Sequence, residues 1–269
     1  MKNSAWRLIK DGSGDGRLNM AIDRAILTAS DRGQAPVATL RLYGWDRPTL
    51  SIGYSQNKLM DIDSRQCERR NIAIVRRFTG GRALLHQHEL TYSLVASIPH
   101  PRFPGNLAGD FCAVTKAVIR SLEKAGVINP EMVGKDKRTQ GRGQKRSPAC
   151  FSTSNHWEIS VKGKKLAGSA QRRLNRAFLQ HGSILLDKDP ELAHSLLRYS
   201  SDSAKEQELR KLISNTLTLN EVLSVNLEWE KLAQCFEDGF QETFSGSWKP
   251  GSLNSLEMEL VGKYLEGSE

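Results

Sequence analysis

Residues Cys150 to Leu186, CFSTSNHWEISVKGKKLAGSAQRRLNRAFLQHGSILL, read as a single thiol followed by two strands joined by a tight turn. Trp157, Ile159 and Val161 alternate with Glu158 and Ser160, the period-two signature of a half-buried strand. Lys162-Gly163 supplies a two-residue turn, with glycine able to take positive φ. That turn sets Ser160 opposite Lys165. In simple register Cys150 would face Asn175, and ten strand residues span about 33 Å. The segment from Cys150 to Asn155 is therefore expected to leave the strand and curl back over the sheet as an active-site loop. A thiol, an amine and the small-residue run Gly168-Ser169-Ala170-Gln171 are the parts of acyl-thioester chemistry. They supply a nucleophile, a charge that favours its thiolate, and N–H donors that a ligand can approach.

Upstream, Arg76 to Ser93, RRFTGGRALLHQHELTYS, places paired glycines Gly80-Gly81 after a predicted strand. Such a loop lets backbone N–H groups come close to a carbonyl or a phosphate. Arg76, Arg77 and Arg82 surround it with positive charge, and His86 is placed to hydrogen-bond or shuttle a proton. The pattern is neither a Walker loop nor a GxGxxG fingerprint, so it demands no nucleotide.

Around these segments the chain alternates in type. Leu18 to Ser30 carries an apolar i, i+3, i+4 stripe and reads as a helix capped by Asp15 or Asn19. Ala38–Tyr43, Thr49–Gly53, Ile72–Arg76 and Glu89–Ala96 read as strands, and Asp110–Ala125 as an amphipathic helix. After Leu186 the pattern turns helical at Pro190–Leu197, Ala204–Leu212, Leu219–Leu223 and Trp229–Phe244. The natural assembly is α+β, an antiparallel-rich mixed sheet with flanking helices.

With 269 residues the chain can bury a full core as one large domain. It shows neither a long apolar span nor the apolar segment of a signal peptide, so a cytoplasmic location is expected and no membrane partner. The cysteines Cys67, Cys112, Cys150 and Cys235 are scattered, without CxxC pairs or histidines at ligand spacing. Neither a disulfide framework nor a metal site is expected. The net charge of +9 favours acidic partners. Much of it lies in Lys135 to Arg146, KDKRTQGRGQKR, six basic residues against one acid. That run lacks interleaved aromatics and any helix-turn-helix, RRM or zinc-finger pattern, which argues against nucleic acid as a partner.

The chain resembles the biotin and lipoate protein ligase family of cofactor transferases, and within it the N-octanoyltransferases of the LipM type. The motifs that carry the resemblance are Met20-Ala21-Ile22-Asp23, Pro48 to Tyr54 (PTLSIGY), the RRFTGGRALLH loop, Pro148-Ala149-Cys150-Phe151, and GKKLAGSAQ leading to Gln180-His181-Gly182. The resemblance implies a ligase-like catalytic domain over residues 1–245, with 246–269 as a C-terminal tail. It implies Cys150 as acyl-thioester nucleophile and Lys165 as the active-site lysine. It also implies Arg77, Gly80, Gly81, His86, Gly168, Ser169 and His181 around the substrate.

The implied activity moves octanoyl from octanoyl-acyl carrier protein to a lysine of the glycine cleavage H protein or another lipoyl domain, with a monomeric enzyme and no cofactor. Gln87 departs from the acid expected after the histidine, and Thr153-Ser154-Asn155 from a more usual Ser-Pro-Ser.

Three other readings share the sequence. An ATP-dependent lipoate ligase would leave Cys150 incidental; Arg82, where such ligases carry a third loop glycine, opposes it. An amidotransferase between two protein lysines would use the same thiol and amine. A basic nucleic-acid adaptor rests on charge alone. Taken singly, several residues have plainer readings. Lys165 is an ordinary solvated strand-edge lysine, Asp23 a solvent-facing or capping helix acid with a contact to the glycine loop as the lesser alternative, and His181 a core hydrogen-bonder. Cys67, Cys112 and Cys235 are structural, and His88, His100, His156 and His194 take no role.

Overall fold

The structure, a computed structural model, describes residues 6–133 and 158–267. The chain opens with strand β1 (Trp6–Gly14) and helix α1 (Gly16–Asp31). Asp15 caps that helix, its carboxylate accepting from the Arg17 and Leu18 amides. Asn19 is no cap; its side-chain amide donates to the Gly14 and Gly44 carbonyls and so pins α1 to the sheet.

Next come β2 (Ala38–Trp45), β3 (Thr49–Ile52), two short helices α2 (Lys58–Asp61) and α3 (Ser64–Arg69), β4 (Ala73–Arg76), β5 (Leu84–His86) and β6 (Glu89–Ser97). Helix α4 (Leu107–Lys124) and the short β7 (Glu131–Met132) end the first described stretch. The second begins with β8 (Ile159–Val161), β9 (Lys164–Arg173) and β10 (Ala177–Leu185). Helices α5 (Pro190–Ser195), α6 (Asp202–Asn215), α7 (Leu219–Leu223) and α8 (Trp229–Phe244) follow, then β11 (Trp248–Pro250) and α9 (Ser255–Leu265).

Eight strands form one mixed sheet in the order β11-β1-β2-β6-β10-β9-β8-β7, parallel at β11-β1-β2 and antiparallel from there on. β4-β3-β5 form a second, smaller sheet. Strands β2 and β10 are buried along their whole length because helices cover both faces. On one face Leu40, Leu94, Phe178 and Ile184 meet Val118 and Leu122 of α4 and Phe236 and Phe240 of α8. On the other, Val95 and Leu179 meet Ala25 and Ile26 of α1 and Leu260 and Val261 of α9. The small sheet rests on its own apolar cluster, where Leu50, Ile52 and Leu85 contact Ile62, Leu196 and Leu197.

Three expectations change. The strand expected to be half-buried has Glu158, Ile159, Ser160 and Val161 all buried, since Ile159 and Val161 join the helix-covered core while Glu158 faces a cleft. Residues 6–14 form a full strand where none is expected from the sequence. The stretch 246–269, set apart as a tail, carries β11 and α9; the Glu257 carboxylate forms a two-pronged ion pair with Arg7 at 2.6 and 2.7 Å, both side chains buried. The Lys162-Gly163 turn is as expected. Both residues have positive φ, the conformation that suits a two-residue hairpin loop, and Ser160 pairs with Lys165.

Candidate active site

The face of the sheet toward α1 carries a narrow cleft of about 70 Å³. β9 and β10 supply its floor with Gly168, Ser169, Ala170, His181 and Ser183, and the glycine loop its rim with Arg77, Gly80 and Gly81. Lys165, Arg77, Gly80, Gly81, His86, Gly168, Ser169 and His181, widely separated in sequence, all line it. Cys150, the segment 150–155 expected to curl back, and the basic run 135–146 lie outside the described residues.

Lys165 is buried, at 6% exposure, rather than solvated. Its ammonium donates to the Glu158 carboxylate at 2.6 Å, and that carboxylate is equally buried. The lysine tail runs over the α-carbon of Gly168: a Cβ there would lie 3.1 Å from the Lys165 Cε and 3.3 Å from Nζ. A glycine at 168 therefore keeps the amine's path open. The Lys165 carbonyl accepts from the Leu217 amide at 2.8 Å, which fixes the strand beneath. Glu158 was legible only as a strand residue. Its signal was the register, because with Ser160 opposite Lys165 a residue two positions earlier stands diagonally across on the same face.

The glycine loop is packed down by contact with β3. A Cβ on Gly53 would fall 2.0 Å from the Gly81 carbonyl oxygen, and Gly81 has φ +101°. Buried Arg77 holds the loop from beneath, donating to the Ser51 and Arg82 carbonyls at 3.1 and 2.8 Å and to the Ser51 hydroxyl. The Thr79 hydroxyl meets His181 Nε2 at 2.7 Å.

His86 finds its acid in Glu89, three residues on, not at position 87. Nδ1 lies 2.8 Å from Glu89 Oε1 and Nε2 lies 2.6 Å from the Ser51 hydroxyl. A carboxylate only accepts, so Nδ1 carries a proton toward Glu89. The imidazole stacks on Trp45 at 3.9 Å between centroids. Trp45, Thr91 and Ser183 also donate to Glu89 Oε1. Burial pushes the Glu89 carboxyl up, but His86 and these donors outweigh it, and the net shift is down.

Asp23 is fully buried, against its reading as a solvent-facing helix acid. It accepts from Arg41 at 2.9 Å, from the Tyr43 hydroxyl at 3.0 Å and from His181 Nδ1 at 3.3 Å. The chain Arg41–Asp23–His181–Thr79 thus ties α1 to the glycine loop. Burial opposes ionisation of Asp23, yet the His181 hydrogen bond and the Arg41 charge bring its net shift below the ordinary carboxylate value. Burial also lowers His181, so the imidazole stays neutral, donating to Asp23 and accepting from Thr79. None of the three described cysteines lines the cleft, and burial pushes the Cys67 thiol up to about 11. No metal-ligating cluster of three or more side chains occurs among the described residues.

Over residues 15–241 the sequence matches the lipoyl protein ligase A/B catalytic domain. The chain belongs to this family. It is similar to the octanoyltransferase LipM of Kyrpidia tusciae, 39% identical over 97% of this chain and 96% of the relative. The octanoyltransferase LipM of Brevibacillus brevis is 36% identical over 95% and 93%. Among solved structures, a bipartite lipoate protein ligase from Thermoplasma acidophilum, described with its E2 lipoyl domain, superposes with a TM-score of 0.79. That likeness, at 20% identity over 99% of this chain and 93% of the other, is one of fold.

Proposed function

We propose a route by which this chain, an acyltransferase of the LipM octanoyltransferase type in lipoate biosynthesis, moves its acyl group. The donor is octanoyl-acyl carrier protein. The Cys150 thiolate attacks the donor's thioester carbonyl, the carbonyl π bond opens to an oxyanion, and the carbon–sulfur bond to the carrier breaks. Lys165 gives a proton to the departing carrier thiolate, and octanoyl remains on Cys150. An acceptor lysine amine, on the glycine cleavage H protein or another lipoyl domain, then attacks the Cys150 thioester. Its surplus proton passes to the neutral Lys165, the amide forms, and Cys150 leaves as thiolate. Protons and charge balance over the cycle, and no ATP enters it. The Lys165 ammonium favours the thiolate and donates toward the oxyanion in the first step, and in the second it forms again as the amine's proton arrives. Glu158 holds the ammonium in place before the first transfer and takes it up again once the second has returned the proton.

The observation that carries this reading is the Lys165 amine, buried against Glu158 and laid over Gly168, in a cleft that the glycine loop rims. A narrow cleft suits an unbranched acyl chain. Among the described residues nothing lies within 4 Å of where a Gly80 Cβ would stand, so we assign its bareness to the ligand rather than the packing. We assign Arg77, Gly81, His86, Ser169 and His181 to shaping that space. In this reading the catalytic domain expected over residues 1–245 is completed by β11 and α9, and it acts as a monomer. A cytoplasmic location fits the two carrier-type partners, and no helix among the described residues is long and apolar enough to cross a membrane. The net charge of +9 would speed encounter with acidic carriers.

Intact-protein mass spectrometry after incubation with octanoyl-acyl carrier protein, without ATP, tests the proposal. One hydroxylamine-labile octanoyl adduct is expected, absent in Cys150→Ala. Acceptor modification that requires ATP and leaves Cys150→Ala active would replace this reading by that of a ligase.

A further inference from the structure

A second groove opens beside the cleft, with Met20 and Arg77 lining both. It lies between α1, the end of β4 and the far end of β9, with Tyr264 of α9 along one side, and holds about 640 Å³. Arg17, Arg24, Arg76 and Arg172 line it, and no acidic side chain does among the described residues. Ion pairs seen elsewhere in the described chain engage Arg7, Arg41, Arg47, Arg120, Arg173 and Arg210.

Neutral groups hold the four guanidinium groups in place. Arg24 stacks over Tyr264 at 4.1 Å, and the Tyr264 hydroxyl bonds Thr28 at 2.9 Å. Arg172 lies over Tyr54 at 5.2 Å. One Arg76 nitrogen donates to the Gly53, Tyr54 and Gln56 carbonyls at 2.8–3.0 Å, and Arg17 donates to the Leu265 carbonyl at 3.0 Å. Each guanidinium has five N–H donors, so these contacts leave others for a ligand. Four like charges facing one space, with no carboxylate among the described residues that line it, repel one another, and an anion removes that cost.

The groove stands at a defined reach from the amine. Gly168 pairs with Ser183, Ala170 with His181 and Arg172 with Leu179, so Gly168, Ala170 and Arg172 share the cleft's face of β9. Lys165 Nζ rests against Gly168, and Arg172 is four strand residues farther on, about 13 Å. The site for an anion is thus separated from the reacting centre by a distance that an extended pantetheine arm can cover.

We propose that this groove binds the phosphate ester of the donor's phosphopantetheine arm, which fixes the far end of the arm while the thioester enters the cleft. The inference rests on the octanoyl-transfer reading above. The arginines bind the phosphate, and the aromatic rings give the arm apolar surface. Charge-assisted contacts of this kind are each worth about tenfold in affinity.

The test compares two small donors, octanoyl-phosphopantetheine and octanoyl-pantetheine, in the wild type and in Arg24→Ala/Arg172→Ala. Acylation of the wild type is expected to show a kcat/KM at least tenfold higher for the phosphorylated donor. In the double variant that advantage disappears, while acylation by octanoyl-pantetheine is unchanged. Titration with free phosphopantetheine, which needs no transfer, should show binding weakened at least tenfold in the variant. Equal rates for the two donors in the wild type, or equal losses for both in the variant, would overturn the assignment and leave the transfer reading intact. Acylation by neither donor, with phosphopantetheine binding still arginine-dependent, would overturn the transfer reading and keep the anion site.

The arm comes attached either to a carrier protein or to coenzyme A. Matching losses with octanoyl-carrier protein and octanoyl-coenzyme A would support binding at the shared phosphate. A loss confined to the carrier protein would put these arginines on its protein surface and overturn the assignment.

Discussion

Lys165 shows how little a residue type says about its surroundings. Lysines are mostly exposed, and nothing within the side chain foretells a buried ion pair with Glu158. If its ammonium activates Cys150, Lys165→Ala should shift the pH profile of Cys150 alkylation upward by about one unit, a tenfold loss of thiolate at neutral pH. Lys165→Arg should leave acyl transfer crippled, since a guanidinium cannot give and retake the proton. Superimposed alkylation profiles in wild type and Lys165→Ala would reduce Lys165 to a binding role.

Asp23 carries a second test at the same scale. Its folded-state carboxyl is held low, so its contribution to stability is complete above the unfolded value of about 3.9 and lost as pH falls through the folded one. Asp23→Asn leaves buried Arg41 with Asp11 as its remaining carboxylate partner and should cost about 1–3 kcal/mol at pH 7 in urea unfolding, with a shallower decline below pH 4. An unchanged urea midpoint would show that the Arg41–Asp23 pair contributes nothing net. Neither Asp23 nor Glu89 could be placed from sequence. Their partners Arg41, Tyr43, Trp45 and Ser183 come from strands that only folding brings alongside.

At the scale of elements, periodicity was the reliable guide and polar interruption the reason for what was missed. The stripes of α1 and α4 and the apolar runs of β2 and β6 stood out, and α7 and α8 begin and end where the pattern placed them. β1 hid because Lys10, Asp11 and Gly12 break its second half, which is the part left partly exposed. α9 did carry a signal: Asn254 and Glu257 form a capping box ahead of Leu260, Val261 and Tyr264. The contact between α4 and α8 was invisible, since it depends on a missing side chain. A Cβ on Gly239 would lie 2.6 Å from the Ser121 backbone. Gly239→Ala should therefore push the two helices apart and cost about 1–3 kcal/mol, read as a lowered urea midpoint with unchanged acyl-transfer chemistry at 25 °C. A neutral or stabilising result would mean that the helices slide freely at this crossing.

For the whole molecule, the site exists because the sheet's order brings distant segments into register. β10 lies between β6 and β9, so His181 and Ser183 stand beside the Glu89–Ser93 end of one neighbour and the Gly168–Ala170 stretch of the other. The small sheet then lays the glycine loop across the top. The sequence motifs named most of the cleft's residues by family resemblance. Their convergence, and the acids that serve them, required the fold.

Transfer through Cys150 requires a covalent octanoyl-enzyme that is competent to react, and a chase of the isolated species reads that competence. Enzyme acylated by octanoyl-acyl carrier protein is freed of donor and mixed with a lipoyl-accepting protein in the absence of ATP. Octanoyl is expected to leave Cys150 and appear on the acceptor lysine at matching rates, with Lys165→Ala slowing both. An adduct that persists on Cys150 while fresh donor modifies the acceptor would contradict it.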